Sequence, residues 1–405
     1  MKPVSAVVLM CLAEALGMLT FSTFPALLPT FLDDWQLSST AGGTLSGLFF
    51  VGYMLAVPVL TALTDRIDAR LVYLCSTLLT FAAAMAFAVL AEGFWSAAPL
   101  RVLAGAGLAG TYMPGLKALT DGIEDPRLQT RAVSFYTSSF GIGSALSYLI
   151  AGEIAAVAGW RWAFGLPGLA VLAAFAVALL VLKPKPVAPA AAPLLAFLDF
   201  RPVLRNRQAM AYVLAYAAHN WELFGMRAWI VAFLVFSASL QPDGAAGFWS
   251  ATAIAAAVGL LGMPASVLGN ELASRFSRAV TVSAHMLVSV LVCSLIGFSA
   301  ALPFALVVGL CLLHGVTVTA DSASITTGAV QGAAPERKGA TMAMHSFLGF
   351  GFSFLGSLAP GVALDLGGGR DSQLAWGLAW MTMAAGAAFG PVAIWLLTRR
   401  SPPSA

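Results

Sequence analysis

The chain has 405 residues, 60% hydrophobic and 10% charged, with a formal net charge of +3. A soluble domain carries about 25% charged residues, so this chain has too little charge to cover a water-facing surface and is read as an integral membrane protein. The small net charge says little about partners, and no nucleic-acid partner is expected.

Apolar stretches near the ~20 residues that cross a bilayer run, in chain order, over 5–29, 43–63, 71–91, 98–119, 132–155, 162–182, 208–236, 247–268, 279–300, 303–329, 339–364 and 373–397. They make twelve predicted helices. The first follows Lys2, carries Glu14 and runs too far for a signal-peptide h-region, so it reads as a membrane span. Most connectors are short. The long one, 183–207, opens with Lys183-Pro-Lys-Pro-Val-Ala-Pro189, a semi-rigid composition. It closes with the basic interfacial run Phe200 to Arg207. The predicted organisation is therefore residues 1–182, a linker at 183–207, and residues 208–405.

The two halves repeat. Glu14-Ala-Leu-Gly-Met18 returns as Glu222-Leu-Phe-Gly-Met226, 208 positions on. Leu63-Thr-Asp-Arg66 returns as Leu272-Ala-Ser-Arg275 at an offset of 209, and Gly141-Ile-Gly143 as Gly349-Phe-Gly351 at 208. Matches in order at one offset indicate a duplicated six-span unit, an architecture that secondary transporters use around a central site. With the N-terminus inside, all but four of the 21 Lys and Arg (Arg101, Arg161, Arg227 and Arg370) fall on the cytoplasmic side. The positive-inside rule then puts both termini in the cytoplasm. Cys11, Cys75, Cys293 and Cys311 lie in apolar runs without ligand spacing and read as small core residues.

The loop Thr61-Ala-Leu-Thr-Asp-Arg-Ile-Asp-Ala-Arg70 resembles the G-x-L-A-D-R-x-G-R-[RK] loop of the major facilitator superfamily, keeping Leu63, Asp65, Arg66 and Arg70 and departing at Thr61, Thr64, Asp68 and Ala69. Its second copy keeps Leu272, Ala273, Arg275 and Arg278. Arg101-x-x-x-Gly105-x-Gly107 and Gly159-Trp-Arg-Trp-Ala-Phe164 are similar to further elements of that family. The resemblance implies an all-α membrane fold of twelve helices in two pseudo-symmetric six-helix bundles, acting as a carrier and not an enzyme. It also implies a cytoplasmic gate at Asp65, Arg66, Arg70, Asp121 and Arg275, with Arg70 paired to Asp121 and Asp65 set against a helix end.

Ionisable groups at bilayer depth cost roughly 2.5–3.5 kcal/mol or more and need a reason. They fall in the first, fourth, seventh and tenth spans: Glu14, Arg101, then His219, Glu222 and Arg227, then His314 and Asp321. In the family resembled, those spans line the central cavity. His219 and Glu222 share a helix face, as do His314 and Asp321. Glu14 and Glu222 are repeat mates and are expected to face one cavity. Glu14, Glu222 and Asp321 are the proton-coupling candidates. Arg101, His219, His314 and Arg227 are the substrate-binding candidates.

Gly105 to Gly110 matches G-x-G-x-x-G inside an apolar span, where a dinucleotide reading fails. His219-x-x-Glu222 has metal-like spacing, but no metal or cofactor is expected. The reading is a secondary active transporter of the inner (cytoplasmic) membrane, working as a monomer. Protons drive uptake of a small organic solute or anion. Proton-antiport efflux of drugs or metabolites is the alternative, and a non-transporting sensor or scaffold is the reading from another class.

Overall fold

The computed structural model describes residues 3–186, 200–242 and 249–398. Lys2, positions 187–199 of the predicted linker, Arg399 and Arg400 lie outside the described residues. All described secondary structure is helical.

The chain forms two compact units, Met1–Leu27 with Leu48–Ala196, and Leu28–Gly47 with Phe197–Ala405. The first contains α1 (Pro3–Gly17), α2 (Thr23–Ala26), most of α4 (Ser39–Leu63), α5 (Ala69–Leu90), α6 (Phe94–Ala109), α7 (Tyr112–Thr120), α8 (Pro126–Ala158) and α9 (Trp160–Val181). The second contains α3 (Leu28–Asp34), the first turns of α4, α10 (Arg201–Arg205), α11 (Arg207–Ser239) and α12 (Ala251–Arg275). It continues through α13 (Arg278–Ile296), α14 (Phe304–Thr319), α15 (Ser322–Gly332), α16 (Lys338–Leu366) and α17 (Gln373–Thr398). The segment 28–47, which the repeat assigns to the first half, thus packs with the second unit.

Eleven stretches among the described residues are long and apolar enough to cross a membrane. The fourth predicted span, 98–119, is divided between α6 and α7. Pro114 has no N–H to offer the Gly110 carbonyl, and α6 ends in tight turns in which Gly110 and Thr111 donate to Gly107 and Leu108. The tenth span divides at the repeat-related place, between α14 and α15, where Asp321 sits at the junction. Ser266 Oγ there accepts the Ala323 N–H at 3.3 Å.

Helix starts follow local chemistry. Asp68 caps α5 by accepting the Arg70 N–H at 2.9 Å, Asp125 caps α8 ahead of Pro126, and Asn206 caps α11. α4 takes its cap from elsewhere in the second unit. Asp365, near the end of α16, accepts from Ser39 N–H at 2.9 Å and Thr40 N–H at 2.8 Å. Arg370 pairs with Asp33 at 2.9 Å beside it.

The outer surface is apolar, with Val157 90% and Leu180 85% exposed, while Trp229, Trp376 and Trp380 are fully buried. Lipid offers helices no hydrophobic reason to associate, so close packing through small residues holds them together. Gly105 lies against the Phe49 carbonyl and Gly315 against the Val258 carbonyl, at matching places in the two halves. A methyl group at either would meet backbone that cannot move aside. Gly105→Ala and Gly315→Ala should each lower stability by about 1–3 kcal/mol. Gly309→Ala, which meets nothing within 4 Å, should be neutral; thermal unfolding in detergent reads all three.

Candidate functional site

Two buried polar clusters hold most of the candidates, one in each unit. In the first, Glu14 on α1 is buried and its Oε2 accepts from the Tyr136 hydroxyl of α8 at 2.7 Å. The same hydroxyl stands 3.2 Å from the Thr111 carbonyl at the α6–α7 break. A tyrosine has one hydroxyl hydrogen, so Tyr136 can donate to only one of these acceptors in full. Glu14 Oε1 has no protein donor. Tyr136 stacks near Tyr112, and the rings of Tyr136 and Tyr73 both close on Gly115. Arg101 on α6 is buried with its guanidinium 4.8 Å from the Phe24 ring and 5.1 Å from the Phe49 ring, a cation held on two aromatic faces.

The second unit carries two acid–imidazole rungs between α11 and the α14–α15 segment. His219 Nδ1 lies 2.8 Å from Asp321 Oδ1, close but not aligned as a hydrogen bond. One turn on, Glu222 Oε1 lies 3.0 Å from His314 Nε2 and also accepts from Ser289 Oγ of α13 at 2.8 Å. The shared faces predicted for 219/222 and 314/321 are what allow this. The helix segments pair in opposite directions, so each rung joins one acid to one histidine. A third histidine, His345 on α16, stacks on Tyr216 with ring centroids 3.7 Å apart, and Tyr216 in turn lies parallel to His219 at 6.0 Å. Arg227 is half-buried over Phe224, 5.5 Å from its ring.

Each carboxylate is enclosed by its own unit, Glu14 by Tyr136 and Glu222 by α13 and α14. The loop between α4 and α5 departs from the expected pairing. Arg70 does not pair with Asp121: its Nη2 donates to the Leu179 carbonyl in the last turn of α9 at 3.1 Å, where helix carbonyls lack partners. Asp121 is instead held by Lys117, one turn earlier on its own helix, at 3.2 Å, and by Lys185 at 3.7 Å. Asp65 is exposed and Arg66 half-buried. Arg275 pairs with Glu271 on its own helix.

Sequence reasoning passed over Tyr136, His345, Ser289 and Asp68. Tyr136 and His345 lie 209 positions apart, a repeat relation that would have drawn notice to both. Asp68, a departure from the family loop, has the position of a helix N-cap.

The sequence profile described as Major Facilitator Superfamily matches residues 10–357. The chain belongs to the major facilitator superfamily, a family of membrane transporters rather than enzymes. A solved bacterial homologue of the human lysosomal transporter Spinster, inward-facing and unoccupied, superposes with a TM-score of 0.80 at 15% identity over 99% of both chains. At that identity the likeness is one of fold. "Protein spinster" of Drosophila melanogaster is 22% identical over 338 residues, 80% of this chain and 52% of the fly protein. "Efflux pump apf11" of Gibberella fujikuroi is 30% identical over 171 residues, 41% of this chain and 29% of the fungal protein. The matches to the first curated relatives span about a third to a half of those proteins' length.

Removing one partner of a buried pair costs about 3–5 kcal/mol, whereas replacing both with apolar groups of similar size is often neutral. Glu222→Ala or Asp321→Ala alone should therefore destabilise strongly. The doubles Glu222→Leu/His314→Leu and His219→Leu/Asp321→Leu should recover most of that loss, as read by unfolding in detergent.

Proposed function

We propose that the protein is a proton-coupled carrier that takes up a small organic solute or anion across the cytoplasmic membrane. Residues 1–182 and 208–405 alternate access, both termini lie in the cytoplasm, and one chain suffices. The observation that carries this reading is the enclosure of Glu14, Glu222 and Asp321 at membrane depth, each beside a group able to exchange a proton: Tyr136, His314 and His219.

Glu14 and Tyr136 supply a coupling step. When Glu14 is ionised, the Tyr136 hydroxyl donates to it. When Glu14 takes a proton, it becomes the donor toward Tyr136, and the tyrosine hydrogen turns to the Thr111 carbonyl. Proton arrival is thereby written into the hydrogen bonding of the α6–α7 break, a discontinuity of the kind that lines transporter sites. In the second unit each rung can hold a proton on either member. His219 and His314 then act by setting the charge of their acids, while Arg101 and Arg227 are left to meet the solute. Asp65, Arg66, Arg70, Asp121 and Arg275 form the cytoplasmic gate, with Lys185 tying the start of the linker to Asp121.

Efflux is the second reading, and the local match to a fungal efflux pump favours it. The direction of solute flux under an imposed pH gradient separates the two. Solutes are first found by a thermal-shift screen, because a ligand that binds the folded state raises its stability by mass action. In proteoliposomes with an internal pH dye, the wild type should show solute-dependent proton flux and Glu14→Gln/Glu222→Gln should abolish it. Tyr136→Phe loses a hydrogen bond to a charged group worth about 1.5–3 kcal/mol, which should slow coupled flux roughly ten- to a hundredfold. Flux that survives the double substitution would remove both acids from coupling.

A further inference from the structure

The junction around Glu222 holds another side chain that the rung does not use. Cys293 on α13 is fully buried. Its Sγ, a carboxylate oxygen of Glu222 and a ring nitrogen of His314 all lie within 4.8 Å of one another. The donors come from three different helices of the second unit, α11, α13 and α14, so the packing of that unit fixes their convergence. Four-coordinate zinc, with bonds of about 2.0–2.3 Å, sets its donors roughly 3.3–3.8 Å apart. The carboxylate and imidazole already stand 3.0 Å apart, and the Cys293 sulfur lies within 4.8 Å of both. Thiol, imidazole and carboxylate together suit a thiophilic divalent ion of the zinc or cadmium type rather than magnesium or calcium. Ser289 donates to the Glu222 oxygen at 2.8 Å, the outer support that ligating carboxylates commonly receive.

We propose that Glu222, Cys293 and His314 form a binding site for one thiophilic divalent cation. The cation meets the Cys293 sulfur, a Glu222 carboxylate oxygen and His314 Nε2. The carboxylate supplies charge to a cation in an apolar interior, where an uncompensated ion is strongly disfavoured. The site shares Glu222 and His314 with the proposed coupling rung but does not rest on it, since a cation can bind whether or not that rung serves transport.

The test uses the full chain in detergent, stripped with chelator and titrated with cadmium, with zinc as competitor. The ultraviolet thiolate-to-cadmium band should saturate at one ion per chain and fall as zinc is added. It should vanish in Cys293→Ser and His314→Gln and persist in Cys75→Ser. Because buried substitutions can unfold the chain, the wild type supplies an independent reading: zinc should raise its melting temperature and protect one buried cysteine from a membrane-permeant thiol reagent. No saturable band, an equal band in Cys293→Ser, or no protection of a buried cysteine by zinc overturns the proposal.

Discussion

Inside a bilayer no water stands ready to satisfy a polar atom, so each one must be answered by the protein itself. That constraint explains the partners found here. Glu14 is answered by a tyrosine from α8, and Glu222 by a serine and a histidine from two more helices. Asp321 is placed at the α14–α15 junction within reach of His219. Even helix ends obey it: the first free N–H groups of α4 are met by Asp365 at the far end of another helix, and a free carbonyl of α9 is met by Arg70. Several buried polar groups of the fold are thus met by partners on other helices.

The two units solve the same problem with different chemistry. The first gives one hydroxyl hydrogen two acceptors, the Glu14 carboxylate and the Thr111 carbonyl, so its hydrogen bonding is a choice between alternatives. The second opposes acid and imidazole twice over. The first sets a buried carboxylate beside the backbone of a helix break, and the second sets two buried carboxylates each against an imidazole.

Much of the fold was legible in the sequence because hydropathy and repetition survive averaging along the chain. The spans, the duplication and the family all rest on patterns many residues long. The break at Gly110–Thr111 was not legible as hydropathy, since both pieces are apolar. It coincides with a missing N–H at Pro114, while the matching break at Asp321 has no proline near it. The depth of Glu14, Glu222, Asp321, His219 and His314 could be read from their place in the spans, whereas their partners could not. Partner choice depends on how each helix is turned about its axis. A rotation of a few tens of degrees would decide whether Glu222 met Ser289 and Cys293 or something else. Asp121 shows the same limit at the surface, where Lys117 and Lys185 reach it ahead of the arginine that the family pattern suggests.

Gly105 and Gly315 touch backbone carbonyls at equivalent places, and both units break a helix some five residues later. Yet Tyr136 and His345, 209 positions apart, do different things. One hydrogen-bonds an acid and the other stacks on a ring. The seam between backbones and the acid of the opening helix, Glu14 in one copy and Glu222 in the other, thus recur across the duplication, while the side chains set against that acid have diverged.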